Sequence, residues 1–184
     1  DAVVQNSDLK LVCDVESKRG EELAKKYDAD FCTDWNEAVS HNGIDTIIVA
    51  TINEFLTPIS VACLNAGKHV LCEKPLGRNV DESRAIVSAA EKSGKIVKTG
   101  FNHRFHPAII KAKELLEQQA IGKILNIRSR YGHGGRSGME KEWRCSKEIC
   151  GGGELLDQGV HIIDLCRWFT SREVTQVNGK TYTS

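Results

Sequence analysis

Lys74 follows a short apolar run, Val70-Leu71-Cys72, and a carboxylate, Glu73, and is followed at once by Pro75. Gly67 and Pro75 bound the run, which suits a buried parallel strand ended by a residue with no N–H to donate. In open α/β sheets ligands sit beyond the carboxyl ends of the strands, so Glu73 and Lys74 are expected at a ligand-facing edge. A solvated Glu-Lys pair at a turn would read the same way. The second constellation is Asp157 and His161, four residues apart in Gly153-Glu154-Leu155-Leu156-Asp157-Gln158-Gly159-Val160-His161. On a helix they share one face, with Leu156, Val160 and Ile163 free to point inward together. A histidine on such a helix often serves packing alone. With an aspartate one turn back and a glycine-rich loop before it, His161 is also a candidate acid-base group, since imidazole titrates at about 6.5.

The elements that must position these residues alternate. Leu9–Cys13 reads as a strand closing on Asp14, and an amphipathic helix follows over Ser17–Tyr27. A carboxylate at that strand end can accept from the ribose hydroxyls of a dinucleotide, although aspartate is also a common turn and cap residue. Ile44–Thr51 is the strongest strand, too apolar to be half exposed. Thr51–Phe55 then leaves the sheet edge, and a helix is expected over Pro58–Ala66 with proline in its first turn and Gly67 at its end. Asp81–Ser93 is the next helix, with Asp81 as N-cap and Gly94 closing it, and Ile96–Phe101 the next strand. This order predicts an α/β fold with a parallel sheet covered by helices on both faces.

After residue 101 the pattern changes. Ala108–Gln119 is helical, and Ile124–Tyr131 largely alternates apolar and polar side chains, as a strand with one wet face would. Gly132–Gly153 holds seven of the sixteen glycines together with Arg136, Trp143 and Arg144, and reads as a long functional loop. Val174–Val177 begins a last strand signal. Two domains are therefore expected, 1–101 and 102–184.

Composition narrows the partners. Lys and Arg total 25 against 25 Asp and Glu, so no net charge draws nucleic acid or an anionic membrane. No apolar run approaches the roughly 18 residues of a span. Seven cysteines without a CxxC pair argue against a zinc site or a disulfide framework, so no metal is expected, and a reducing, cytoplasmic setting is.

Four motifs in order carry a family resemblance: Gly67-Lys68-His69-Val70-Leu71-Cys72-Glu73-Lys74-Pro75-Leu76-Gly77, Gly100-Phe101-Asn102-His103-Arg104-Phe105, Gly122-Lys123-Ile124, and Gly151–Asp164 with its Asp157-x-Gly159-x-His161 core. Together they resemble the Gfo/Idh/MocA oxidoreductases, from about Leu9 to the end of the chain. The resemblance implies an N-terminal Rossmann-like parallel-sheet domain and part of a C-terminal α/β domain whose open, mainly antiparallel sheet mediates homo-oligomer contacts. It implies NAD or NADP as cofactor; the charge of Asp14 favours NAD, and Ser17, Lys18 and Arg19 soften that preference by offering a site for a 2′-phosphate. It also implies hydride transfer to or from a secondary alcohol of a sugar, cyclitol or related polyol. Carried over by position, Lys74, Asp157 and His161 match the catalytic set. Asp14, Ala50, Thr51, Asn53, Glu73, Lys74, Asn102 and Arg104 match cofactor contacts.

Two features depart from the family pattern. The strand, GxGxxG and helix that usually open it are missing, and the nearest match, Gly132-His133-Gly134-Gly135-Arg136-Ser137-Gly138, has serine for the last glycine. Thr51–Leu56 also lacks the proline and histidine common in relatives. An internal fragment and a divergent member both fit these departures. Two further functions fit the same motifs: a hydrolase that uses bound NAD to oxidise a sugar transiently, and a non-catalytic binding or assembly module.

Overall fold

The computed structural model describes Gln5, residues 7–132 and residues 135–180. Two parallel sheets form the N-terminal half. Strands β1 (Leu11–Cys13) and β2 (Asp30–Cys32) pair in register Leu11 to Asp30, and β3 (Thr46–Val49), β4 (His69–Cys72) and β5 (Val97–Thr99) form a second sheet in that order. Helices α1 (Ser17–Lys26), α2 (Trp35–Ser40), α3 (Asn53–Asn65) and α4 (Val80–Ser93) connect them. The short β2 strand is not among the strands expected from the sequence pattern.

The main core lies between β3–β5 and the α3/α4 pair. Val49, Val70 and Cys72 of the sheet meet Leu56, Ile59, Cys63 and Leu64 of α3 and Ile86 and Ala89 of α4. Leu56, Leu64 and Ile86 are wholly buried, each worth about 1.5–3 kcal/mol relative to exposure. The opposite face differs from expectation. Ile48 and Leu71, register partners on β3 and β4, are 43% and 38% exposed, so the described helices cover one face of this sheet rather than both.

β1 and β3 do not pair. Between them runs a groove of about 930 Å³ lined by Leu9, Leu11, Leu23, Ile44, Thr46 and Ile48. Read across the groove, the strands run β2, β1, opening, β3, β4, β5, which is the doubly wound order with the place of one central strand open. Among the described residues no strand fills it.

Local boundaries moved for identifiable reasons. Helix α3 begins at Asn53 and encloses Pro58, five residues ahead of the expected start at the proline. Its buried residues Leu56, Ile59, Ser60, Cys63 and Leu64 form an i, i+3, i+4, i+7, i+8 stripe that starts before Pro58, so burial outweighs one missing backbone bond. Asn79, not Asp81, caps α4, its side chain accepting from Glu82 N at 2.9 Å, while Asp81 lies in the first turn. Gly94 ends that helix with φ +68°.

The C-terminal half contains α5 (Pro107–Glu117), α6 (Lys147–Cys150) and α7 (Val160–Thr170). The expected strand over 124–131 does not form, nor does one over 174–177. A strand needs a neighbour for its backbone groups, and none lies beside either segment among the described residues, so Leu125 and Val177 stand 89% and 81% exposed. The open, mainly antiparallel sheet is therefore not seen in the described residues. His133 and Gly134 of the imperfect glycine motif lie outside them. The rest of the glycine-rich loop is more regular than expected, with 3₁₀ turns at Met139–Lys141 and Trp143–Cys145 before α6.

Gly151 joins the two halves. Its φ is +88°, and a Cβ there would lie 2.4 Å from Arg78 Cβ and 2.8 Å from the Arg78 carbonyl oxygen. Beside it Arg78 Nη1 donates to the Glu148 carbonyl at 2.7 Å, and Asn53 Nδ2 donates to the Cys150 carbonyl at 2.9 Å. Gly151→Ala is therefore expected to cost about 2 kcal/mol or more of folding stability, from left-handed backbone strain and forced separation of the two segments. Chemical denaturation of the two proteins checks this, and an unchanged midpoint would contradict it.

Candidate active site

Two parallel strand ends and one irregular helical turn make the site. In the β3–β4 register Val49 is opposite Cys72, so Ala50-Thr51 and Glu73-Lys74 leave the sheet side by side. The Lys74–Pro75 peptide is cis. Lys74 reaches across to the C-terminal half, where its Nζ donates to Asp157 Oδ1 at 2.8 Å and to the Asp157 carbonyl at 2.5 Å. The two side chains are 17% and 13% exposed, so this is a largely dehydrated pair.

The turn that presents Asp157 is π-helical, Leu155–Gly159, and runs directly into α7. Asp157 and His161 thus sit on either side of a π-to-α junction rather than on one regular helix. The inward stripe also differs from expectation: His161, Asp164 and Leu165 are buried, whereas Ile163 is 47% exposed. Residues three and four apart share a face, and the one that turns inward here sets two polar side chains, His161 and Asp164, beside Leu165. π-turns of this kind recur at functional sites.

His161 is 4% exposed and its Nδ1 has no hydrogen-bond partner. His103 stacks on its face, ring centroids 3.9 Å apart and 17° from parallel, and Phe101 meets it edge-on at 6.1 Å. Burial, then the charges of His103 and Lys74, push the His161 imidazole down to about 4, against weaker opposing pulls from Asp164 and Asp157. The free value near 6.5 expected for this histidine does not survive folding, and the ring is neutral at pH 7. For Asp157, burial acts upward, but the Lys74 hydrogen bond and charge outweigh it and hold the carboxyl below its ordinary value.

The remaining candidates divide. Asp14 ends β1 and its carboxylate accepts from Arg19 Nε and Nη2, both at 2.7 Å, and from Glu16 N at 2.9 Å. Those Arg19 bonds lower its pKa. Ala50, Thr51, Glu73 and Asn102 are exposed at the sheet edge, with Glu73 Oε2 accepting from Lys74 N. Asn53 departs from its expected place beside a ligand. It is 3% exposed, and its amide is spent on the Cys150 carbonyl. Arg104 departs as well, gripping Asp164 through Nε at 2.7 Å and Nη2 at 2.5 Å, under the Trp168 ring. Both are cross-ties in this structure. Among the described residues no cluster of His, Cys, Asp and Glu is arranged to hold a metal.

Sequence reasoning did not single out His103, Phe101 or Asp164. Asp164 was accessible to it, because it lies three residues beyond His161 on the same helical face. The His103 stack was not, since it depends on how the Asn102–Phe105 turn docks against α7. An apolar groove of about 660 Å³ between α4 and the π-turn lies behind Pro75 and is lined by none of Lys74, Asp157 and His161.

Comparison with known proteins agrees with this architecture. Residues 2–101 match the profile of an oxidoreductase family with an NAD-binding Rossmann fold, GFO/IDH/MocA, and residues 109–184 match that family's C-terminal domain. Levoglucosan dehydrogenase of Pseudarthrobacter phenanthrenivorans is 33% identical over 172 residues, 92% of this chain and 44% of that protein. Inositol 2-dehydrogenase of Rubrobacter xylanophilus is 27% identical over 176 residues, 95% and 48% respectively. Among solved structures, levoglucosan dehydrogenase in complex with NADH and levoglucosan superposes with a TM-score of 0.75 at 29% identity, covering 87% of this chain and 44% of that one. The chain spans about half the length of the curated relatives it matches. With both halves matched in order and the fold shared, the chain belongs to the GFO/IDH/MocA oxidoreductase family.

Proposed function

We propose that this chain supplies the acid-base centre of an NAD-dependent oxidoreductase acting on a secondary alcohol of a sugar, cyclitol or related polyol. The observation that carries the reading is the convergence of an ammonium, a carboxylate and a neutral buried imidazole from both halves of the chain at one sheet edge. The names of relatives, levoglucosan and inositol dehydrogenases, support the substrate class.

The described residues fit two parts of the dinucleotide. Asp14, at a strand end, suits the adenosine ribose, and the exposed edge formed by Ala50, Thr51 and Glu73 suits the nicotinamide end. For the pyrophosphate they offer no glycine turn running into a helix N-terminus, so backbone donors are missing there. The bound nicotinamide would supply the hydride acceptor. The chain's own residues handle the proton. When a carbinol loses hydride its hydroxyl proton must leave, or positive charge builds at the carbon. His161, neutral above about pH 4, is available to take that proton. Lys74 donates to the same oxygen and steadies its alkoxide character as charge develops. Asp157 holds the Lys74 ammonium in place and offers its own carboxylate oxygens to a substrate hydroxyl. The exposed Leu125, Ile127 and Val177 support self-association of the C-terminal half as a further part of the proposal.

In a full-length protein bearing this chain, Lys74→Ala and His161→Ala are each expected to lower kcat by about 10² or more with little change in NAD affinity. Steady-state kinetics on a substrate found by screening sugars and inositols for NADH formation checks this. Wild-type kcat in His161→Ala would remove the histidine from the base role. The acid limb of kcat/KM should fall near pH 4 to 5, because activity is lost only as the depressed imidazole gains a proton. A limb centred at 6.5 or above would contradict the buried environment.

Cofactor choice follows from Asp14. Its negative charge opposes a 2′-phosphate, and Arg19, the cation nearest to it, is engaged by the carboxylate. NAD is expected to exceed NADP in kcat/KM by about tenfold or more, with Asp14→Ala narrowing the gap. Equal turnover with both, unchanged in the variant, would sink the assignment. Calorimetry on the 184-residue chain should show no micromolar NAD binding, since the pyrophosphate lacks its cradle.

A further inference from the structure

A histidine used as a base generally has its ring held by a hydrogen bond at the second nitrogen, which fixes both tautomer and orientation. His161 lacks that bond: its Nδ1 is buried and unpartnered. Something else must hold the ring, and the structure shows what touches it. His103 covers one face at 3.9 Å and 17°, and Phe101 abuts the ring at 80°. Both come from one short segment. That segment is anchored by Arg104, whose guanidinium grips Asp164, one helical turn beyond His161 on α7. Tyr131 lies against the His103 ring at 5.7 Å.

We propose that His103 is a positioning residue for His161: its stacked imidazole holds the ring plane of the candidate base and couples that base's protonation to a second titratable ring. The proposal rests on the reading of His161 as base and names the device that replaces its missing hydrogen bond. Two imidazolium rings stacked at this distance repel, so a proton on either one opposes a proton on the other. The charged or titratable groups facing His161 are His103 from the 102–105 turn, Lys74 from the end of β4, Asp157 from the π-turn and Asp164 from α7. Asp164 is paired with Arg104 and Asp157 with Lys74, and of the four groups His103 is the one whose ring stacks directly on that of His161. Phe101 contributes shape without charge.

Two variants separate shape from charge. His103→Phe keeps an aromatic face on His161 and removes the second proton site, whereas His103→Ala removes both. Histidine ring nitrogens are followed by nitrogen-15 NMR from pH 3.5 to 8 on the 184-residue chain, with circular dichroism confirming the fold. His103→Phe is expected to move the His161 midpoint upward by ~0.5 unit or more, as a neighbouring cation is lost. In the full-length protein its kcat should stay within about threefold of wild type and its acid limb should move in the same direction. His103→Ala should lower kcat by about tenfold or more while KM for NAD stays unchanged, since a loosened base is misaligned rather than absent. A His161 midpoint that is the same in wild type and His103→Phe, together with wild-type kcat in His103→Ala, would overturn the proposal. A fall in thermal stability alone, with titration and kcat unmoved, would reduce His103 to a packing residue and overturn it equally. His161→Ala is the control for the underlying reading. Full kcat in that variant disproves the base, whereas unmoved titration in His103→Phe disproves only the coupling.

Discussion

The Lys74–Asp157 contact is the constraint on which the rest depends. It joins the end of β4 to the turn before α7 across 83 residues of chain, and both side chains are mostly removed from water. Ion pairs of this kind add little net stability against apolar replacements, but losing one partner strands the other and costs several kcal/mol. The surrounding structure therefore has to deliver both partners to one place. Arg78 bonds Glu82 and the Glu148 carbonyl, Asn53 bonds the Cys150 carbonyl, and Gly151 allows the two backbones to approach. These cross-ties flank the pair and keep the glycine-rich segment from drifting away from the strand end.

Around that contact the charges are sorted. Lys74 faces Asp157, and Arg104 faces Asp164, so each buried or half-buried carboxylate on the π-turn and α7 has a cation. His161 lies between the two pairs and is left neutral by burial and by the nearby positive charges. A neutral imidazole beside a fixed ammonium is an arrangement that can take a proton from an oxygen while the ammonium holds that oxygen's developing charge. It is also one that would be disfavoured in a purely structural core, where a histidine nitrogen without a partner costs stability and gains nothing.

The sheet has a different logic. β3–β5 are secured by the apolar stripe of α3 and by α4, while β1–β2 form a second, smaller unit with Val12, Ala24 and Cys32 buried. The groove between β1 and β3 and the half-exposed Ile48 and Leu71 lie where a doubly wound fold places its central strand and further cover. The dinucleotide ends would be gripped on either side of that groove. The open groove thus separates Asp14 at the end of β1 from Ala50, Thr51 and Glu73 at the ends of β3 and β4.

Much of this was legible in the residues alone. The alternation of apolar runs and amphipathic helices specified a parallel α/β half, because 2.0 and 3.6 periodicities are local properties that burial selects directly. The four motifs located Lys74, Asp157 and His161, and tertiary structure drew all three to one edge. What the residues could not disclose were relations between segments distant in sequence. Asn53 and Arg104 carry side chains suited to a ligand, and only the packed structure shows them consumed as cross-ties to Cys150 and Asp164. Alternation over 124–131 predicted a strand, but a strand exists only when a neighbour accepts its backbone bonds, and periodicity says nothing about neighbours. The depressed pKa of His161 is likewise a property of burial and of charges brought in from residues 74 and 103, which no local window contains. Sequence by itself determined which side chains are candidates for chemistry. The tertiary structure decided which of them gather at one edge and which are consumed as cross-ties, because burial and hydrogen bonding are settled only when distant segments meet.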